Sequence, residues 1–90
     1  MKEIRIHNAS PHDFKDVVMG RAYFGDIGVG ETSEFKRVDL TLRYGVMYLT
    51  AEGYRVNAQT LNFGGKRYTY RVRVKDLKAG HLQVDIEPDD

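Results

Sequence analysis

The run from Arg67 to Lys75 alternates without interruption, and it limits what the rest of the chain can become. Tyr68, Tyr70, Val72 and Val74 fall on one side; Arg67, Thr69, Arg71, Arg73 and Lys75 fall on the other. Period two in aromatic and β-branched residues marks a strand with one buried face and one wet face. Gly64-Gly65 just before it can take the positive φ angles of a turn. A strand with one dry face needs other strands to cover that face, so the chain is expected to be all-β.

The partner of this strand can be read in register. Lys75 and His81 flank the loop Asp76 to Gly80. If they face each other, antiparallel pairing sets Arg73 opposite Gln83, Arg71 opposite Asp85 and Thr69 opposite Glu87. Leu82, Val84 and Ile86 then join Val74, Val72 and Tyr70 on the dry side. Both faces are satisfied at once, which is what specifies a register.

Upstream, Lys2 to His7 alternates with Ile4 and Ile6 inward, and Asn8-Ala9-Ser10-Pro11 ends that strand with turn chemistry. The segment after Pro11 has two readings. Ser10 and Pro11 suit a helix start. Its shortness and the pair Val17-Val18 favour a strand over Phe14 to Met19, with Val17 and Met19 pointing the same way. Tyr23 and Phe24 close that strand, and Gly25 to Gly30 reads as a tight connection. Thr32 to Val38 is a strand with Phe35 inward. Arg43 to Thr50 is apolar on both faces, with Tyr44, Val46 and Tyr48 on one and Met47 and Leu49 on the other, as in a central strand. Tyr44, Tyr48, Tyr68 and Tyr70 are assigned to the core. Ala51-Glu52-Gly53 turns the chain, and Tyr54 to Gln59 returns with Tyr54, Val56 and Ala58 aligned. Short strands at this spacing fit a single antiparallel β-sandwich of about seven or eight strands. The tail from Pro88 to Asp90 is expected to fray.

Ninety residues make one domain, and without cysteine no disulfide or thiolate metal site supports it. Fourteen basic against thirteen acidic residues leave no electrostatic footprint for nucleic acid. No apolar run is long enough to span a bilayer.

The order of signals is also familiar. Ile4-Arg5-Ile6-His7-Asn8-Ala9-Ser10 is followed by Asp13-Phe14-Lys15-Asp16-Val17-Val18, then Phe24-Gly25-Asp26-Ile27, Gly30-Glu31-Thr32-Ser33-Glu34-Phe35-Lys36 and Arg43-Tyr44. The chain closes on Gly65-Lys66-Arg67-Tyr68-Thr69-Tyr70-Arg71-Val72. This resembles small exported lipoprotein domains of Bacteroidetes-type bacteria, immunoglobulin-like or transthyretin-like sandwiches with no assigned activity. The resemblance implies export to the periplasm or cell envelope, with a leader and a lipidated cysteine ahead of Met1. Were Met1 the native start, the protein would be cytoplasmic. The spacing Gly65-x-x-Tyr68-x-Tyr70 is similar to the tyrosine corner of immunoglobulin-like domains, which gives Tyr68 a stabilising role.

Chemistry is sparse. Ser10 and Ser33 lack an elbow motif, and carboxylate pairs such as Glu31/Glu34 and Asp89/Asp90 lie on surface stretches. The expectation is therefore no enzyme activity and no cofactor. His7 and His12, with Asp13 and Asp16 nearby, match no zinc signature, and no metal site is expected. Gly25 to Gly30 lacks both the P-loop ending and the dinucleotide spacing. Two surfaces remain as partner sites for a protein or glycan. One is the basic row Arg67, Arg71, Arg73 and Lys75, which would meet an acidic partner. The other is an aromatic group, Tyr23, Phe24, Tyr54 and Phe63.

Overall fold

The computed structural model describes residues 2–20, 22–38, 44–61 and 67–88. Eight strands account for most of them: β1 (Lys2–Asn8), β2 (Phe14–Met19), β3 (Ala22–Ile27), β4 (Lys36–Val38), β5 (Tyr44–Ala51), β6 (Tyr54–Leu61), β7 (Arg67–Asp76) and β8 (His81–Pro88). No helix occurs among the described residues. The strands form one mixed sheet in the order β3-β2-β5-β6-β8-β7-β1-β4. Its two ends are drawn together because residues 30–33, between β3 and β4, run along β1. Gly30 N donates to Asn8 O at 2.9 Å, Asn8 N to Glu31 O at 2.9 Å, and Ser33 N to Ile6 O at 2.8 Å. The result is a nearly closed, barrel-like sheet around one core.

β7 and β8 take the expected register, with Thr69 opposite Glu87, Arg71 opposite Asp85 and Arg73 opposite Gln83. One position departs: His81 pairs with Asp76, and the register shift leaves Lys75 as the extra residue of a bulge. The expected wholly antiparallel pairing fails elsewhere. β1 and β7 are parallel from Glu3–Arg67 to Asn8–Val72, and β6 meets β8 in parallel at Asn57–His81. A tight turn forces antiparallel neighbours, so hairpins can be read locally. β1 and β7 come from distant parts of the chain, and alternation says nothing about their relative direction.

Ile4 and Ile6 of β1, Phe14, Val17 and Met19 of β2, Met47 and Leu49 of β5, Val56 of β6, and Tyr68, Tyr70 and Val72 of β7 form the middle of the core. Leu82, Val84 and Ile86 pack against it half-buried. The tyrosine-corner glycine, Gly65, lies outside the described residues, as do Arg43, Gly64 and the tail beyond Pro88.

β2 is a strand, as Val17-Val18 implied, but not a regular one. Phe14 and Val17 are three apart and both buried, which plain alternation forbids. A bulge resolves this, with register shifts on both flanking strands and Asp16 at φ 52°. Aspartate is among the few residues that accept that left-handed conformation.

Four local expectations are corrected. β3 begins at Ala22 and runs through Gly25 to Ile27, so Tyr23 and Phe24 open a new strand and do not close the previous one. The break lies at Gly20, whose φ of 61° lets Met19 pair with Ala22. The strand expected over Thr32 to Val38 shrinks to Lys36–Val38 plus a bridge from Thr32 to His7. Phe35 does not enter the core: it is half-buried beneath two guanidinium groups, Arg5 at 4.8 Å and Arg67 at 5.0 Å from its ring centre. In β5 the assignment of faces is reversed, since Met47, Leu49 and Ala51 are buried while Tyr48 is exposed.

Ala51 and Tyr54 pair across a two-residue turn in which Glu52 has φ 51° and Gly53 φ 79°. Two successive positive φ angles are the type I′ pattern, which suits asparagine before glycine and strains glutamate. Glu52→Asn should stabilise the protein by about 0.5–1 kcal/mol, because the exposed His12–Glu52 contact it removes contributes little. Chemical denaturation would check this; an unchanged or lowered midpoint would contradict it.

A polar knot sits among these apolar side chains. Asn8 is fully buried, and its amide nitrogen donates to His12 O at 2.7 Å and Ile27 O at 3.0 Å. Its side-chain oxygen accepts from Ser10 N at 3.0 Å and Ser10 Oγ at 2.8 Å. The turn chemistry read at Asn8-Ala9-Ser10 is thus an Asx turn whose free end ties β1 to β3.

Candidate functional site

The basic row lies on the outer face of β7, but its charges are not equivalent. Arg67 Nε is 3.2 Å from Glu3 Oε2 of the neighbouring β1. Arg71 Nε is 3.4 Å from Glu87 Oε1, an ion pair without hydrogen-bond alignment. Arg5 donates from Nε to Thr69 Oγ1 at 2.8 Å, which covers Thr69 and breaks the row in the middle. Arg73 and Lys75 are exposed. With Glu3, Asp85 and Glu87 interleaved, the face is a mixed-charge surface.

Of the four predicted aromatics, the three that are described do not share one face. Tyr23 is 57% exposed on the outer face of β3. Phe24, the next residue, points the opposite way and is only 8% exposed. Tyr54 is 42% exposed but pairs with buried Ala51, so it stands on the inner side at the rim. Phe63 lies outside the described residues.

A different group forms around Tyr23. Val18 of β2 is opposite Tyr23 on β3 and opposite Tyr48 on β5, and Tyr48 is opposite Asn57 on β6. These four residues make one rung across the outer face of β3-β2-β5-β6. Tyr48 is 40% exposed and Val18 half-buried. Sequence reasoning placed Tyr48 in the core because either face of β5 is apolar enough to be buried. The matching inward set Met47, Leu49 and Ala51 was the available sign of the opposite choice.

Both rings have a charged neighbour, Asp16 at the Tyr23 hydroxyl and Arg55 over the Tyr48 ring. The Tyr23 hydroxyl donates to Asp16 Oδ1 at 2.9 Å, and Asp16 N donates to Asp26 Oδ1 at 3.2 Å. The bulge that buries Val17 therefore also aims Asp16 at Tyr23. The Arg55 guanidinium lies 5.4 Å from the Tyr48 ring centre. The hydrogen bond to Asp16, and then that carboxylate's charge, raise the Tyr23 phenol above its ordinary value. Because the folded value is raised, this contribution to stability is present below the unfolded phenol's pKa and is lost as pH rises through the folded value. Asp16→Asn keeps the left-handed preference and removes the charge. It should bring Tyr23 down toward an ordinary tyrosine, read as tyrosinate absorbance against a Tyr23→Phe background. An unmoved titration would show that Asp16 does not control Tyr23.

Elsewhere the polar groups are committed to structure. Ser10 sits in the Asn8 knot, and Ser33 Oγ accepts from Ile6 N at 2.9 Å and donates to Glu34 O at 3.0 Å. His7 Nδ1 is 2.8 Å from Thr32 Oγ1, and His12 Nδ1 is 3.5 Å from Glu52 Oε1. No group of three metal-ligating side chains gathers among the described residues. In the glycine-rich segment, Gly28 N and Val29 N already donate to Glu31 Oε1 at 2.8 Å and Asp13 Oδ1 at 3.0 Å. An open cleft of about 260 Å³ lies where β3 meets residues 31–36, lined by Phe24 and Ile27 together with Asp26, Glu31, Glu34 and Lys36. Another, of about 380 Å³, lies between Asp13, Lys15, Thr50 and Glu52. No described helix is long and apolar enough to cross a membrane.

No protein-family model and no curated protein sequence matches the chain. Its fold is similar to that of a protein from Eubacterium rectale determined by NMR, with a TM-score of 0.73 and 14% identity over 99% of this chain and 90% of that one. At that identity the likeness is one of fold alone.

Proposed function

We propose that this chain is a non-enzymatic accessory or binding domain of a bacterial envelope lipoprotein, making contact through the tyrosine face of β3, β2 and β5. The observation that carries the reading is the rung Tyr23–Val18–Tyr48, two exposed rings flanking an apolar residue on a rigid sheet. Exposed tyrosines supply contact area at low entropic cost, and a sheet holds them in fixed relation. Export and lipidation rest on the sequence resemblance. The arrangement is best read as a transthyretin-like sandwich of two four-stranded layers, β3-β2-β5-β6 and β8-β7-β1-β4. A single register pair, Asn57–His81, joins β6 to β8. Constant-type immunoglobulin sandwiches divide seven strands four and three, which fits less well.

The second reading is a cytosolic module that meets an acidic partner through Arg71 and Arg73; the exposure of Arg73 and Lys75 favours it. Both can be tested in one co-sedimentation experiment with isolated envelope material. The wild-type domain should pellet and Tyr23→Ala/Tyr48→Ala should stay in solution, with little dependence on salt. Equal pelleting of that double variant would reject the tyrosine face. Salt-sensitive binding lost in Arg71→Ala/Arg73→Ala would favour the second reading instead.

A further inference from the structure

We infer that the tyrosine rung is a platform for a neutral, extended β-1,4-linked glycan chain lying across the strands; this rests on the binding reading above and names its ligand. Tyr23 and Tyr48 stand two strands apart with β2 between them, a separation of about 10 Å at the usual strand spacing. A pyranose ring in an extended chain is about as long as one strand spacing, so the two tyrosines meet every second ring. In a β-1,4 chain successive rings are turned over, and every second ring presents the same face. The apolar C–H face of each such ring can then stack on a tyrosine, with Val18 beneath the sugar between them.

Charge selects among sugars. Among the described residues, Lys15, Arg55, Asp16 and Asp26 lie together along one side of the rung, two of each sign. An acidic polysaccharide therefore finds no cationic track there. Asn57, at the β6 end of the rung, offers both a donor and an acceptor to sugar hydroxyls. Asp16 fixes the Tyr23 ring through its hydroxyl, which lowers the ordering cost of stacking. Arg55 lies over the Tyr48 ring and must be displaced by the sugar, at small cost because cation–π pairs at exposed sites are weak. The rung runs straight across the strands, which suits an extended chain and not the coiled one that α-1,4 linkage produces.

The test is titration of the folded domain with cellohexaose, followed by amide chemical shifts. Shifts confined to β2, β3, β5 and β6 are expected, with none from maltohexaose. Tyr23→Ala and Tyr48→Ala should each lose about tenfold in affinity, as for an aromatic hot spot, while Tyr54→Ala, an exposed ring on the other side, should bind as wild type. Unshifted spectra elsewhere in each variant confirm that it is folded. No response to cellohexaose, or an equal response to maltohexaose, overturns the ligand assignment. In that event co-sedimentation still lost in Tyr23→Ala/Tyr48→Ala would leave the binding face standing; co-sedimentation unchanged in that variant would reject the face as well.

Discussion

Tyr70→Ala should destabilise the protein by about 3–5 kcal/mol, the cost of deleting a large buried aromatic and leaving a cavity. Tyr70 is 1% exposed on β7, opposite Ile6 of β1 on one side and Ile86 of β8 on the other. Its ring therefore fills space between three strands, one of which, β1, comes from the far end of the chain. Alanine there removes contacts from both the hairpin β7–β8 and the parallel seam β1–β7. Arg73→Ala, three residues away on the wet side, should cost under about 0.5 kcal/mol. Urea denaturation of the two variants is the measurement. Comparable losses would mean that the inward and outward faces of β7 are wrongly assigned.

Asn8→Ala should be as damaging, about 3–5 kcal/mol, for a different reason: buried polar groups left without a partner cost about 1–3 kcal/mol each. The substitution strips Ile27 O of its side-chain donor and Ser10 N of its acceptor, and it leaves His12 O with Ser10 Oγ in place of two donors. Ser10 Oγ loses one partner but keeps its contacts with His12. For a domain of this size such a loss lowers the melting temperature by roughly 15–30 °C. Asn8→Asp should be worse than alanine at neutral pH, because a carboxylate only accepts and would face two carbonyl oxygens. Thermal unfolding of the two variants checks both the size and the order. A shift of only a few degrees for Asn8→Ala would mean that water replaces the amide and the knot is not structural.

The candidate face shows how unevenly function is written in a chain of this kind. Tyr23 was legible as an aromatic near a strand end. Its neighbours on the face were not, because cross-strand partners are separated in sequence by lengths that no local pattern fixes. Val18 and Tyr48 become one surface only when β2 pairs with both β3 and β5. Phe24 and Tyr23 both read as lying near a strand end, yet adjacency in a strand puts them on opposite faces. The basic row was visible as charge, but its neutralisation by Glu3 depends on a parallel pairing that alternation does not encode.

What the sequence determined alone is whatever repeats at short range. Period-two runs gave strands at β1, β5, β6, β7 and β8, the β-branched pair Val17-Val18 gave β2, and the short connection at Asp76–Gly80 gave a hairpin register that holds from Val74 back to Thr69. Those features need only neighbouring residues, and the physics that sets them is local sterics and a turn. Tertiary structure alone decided three things: the parallel pairing of β1 with β7, the closure of the ends of the sheet through residues 30–33, and the burial of Met47 and Leu49 with Tyr48 left outside. β5 has two faces of similar hydrophobicity, so either could have been buried. Pairing with β2 and β6, which sets Met47 opposite buried Met19 and Leu49 opposite buried Val56, put that face inside and left the tyrosine rung exposed.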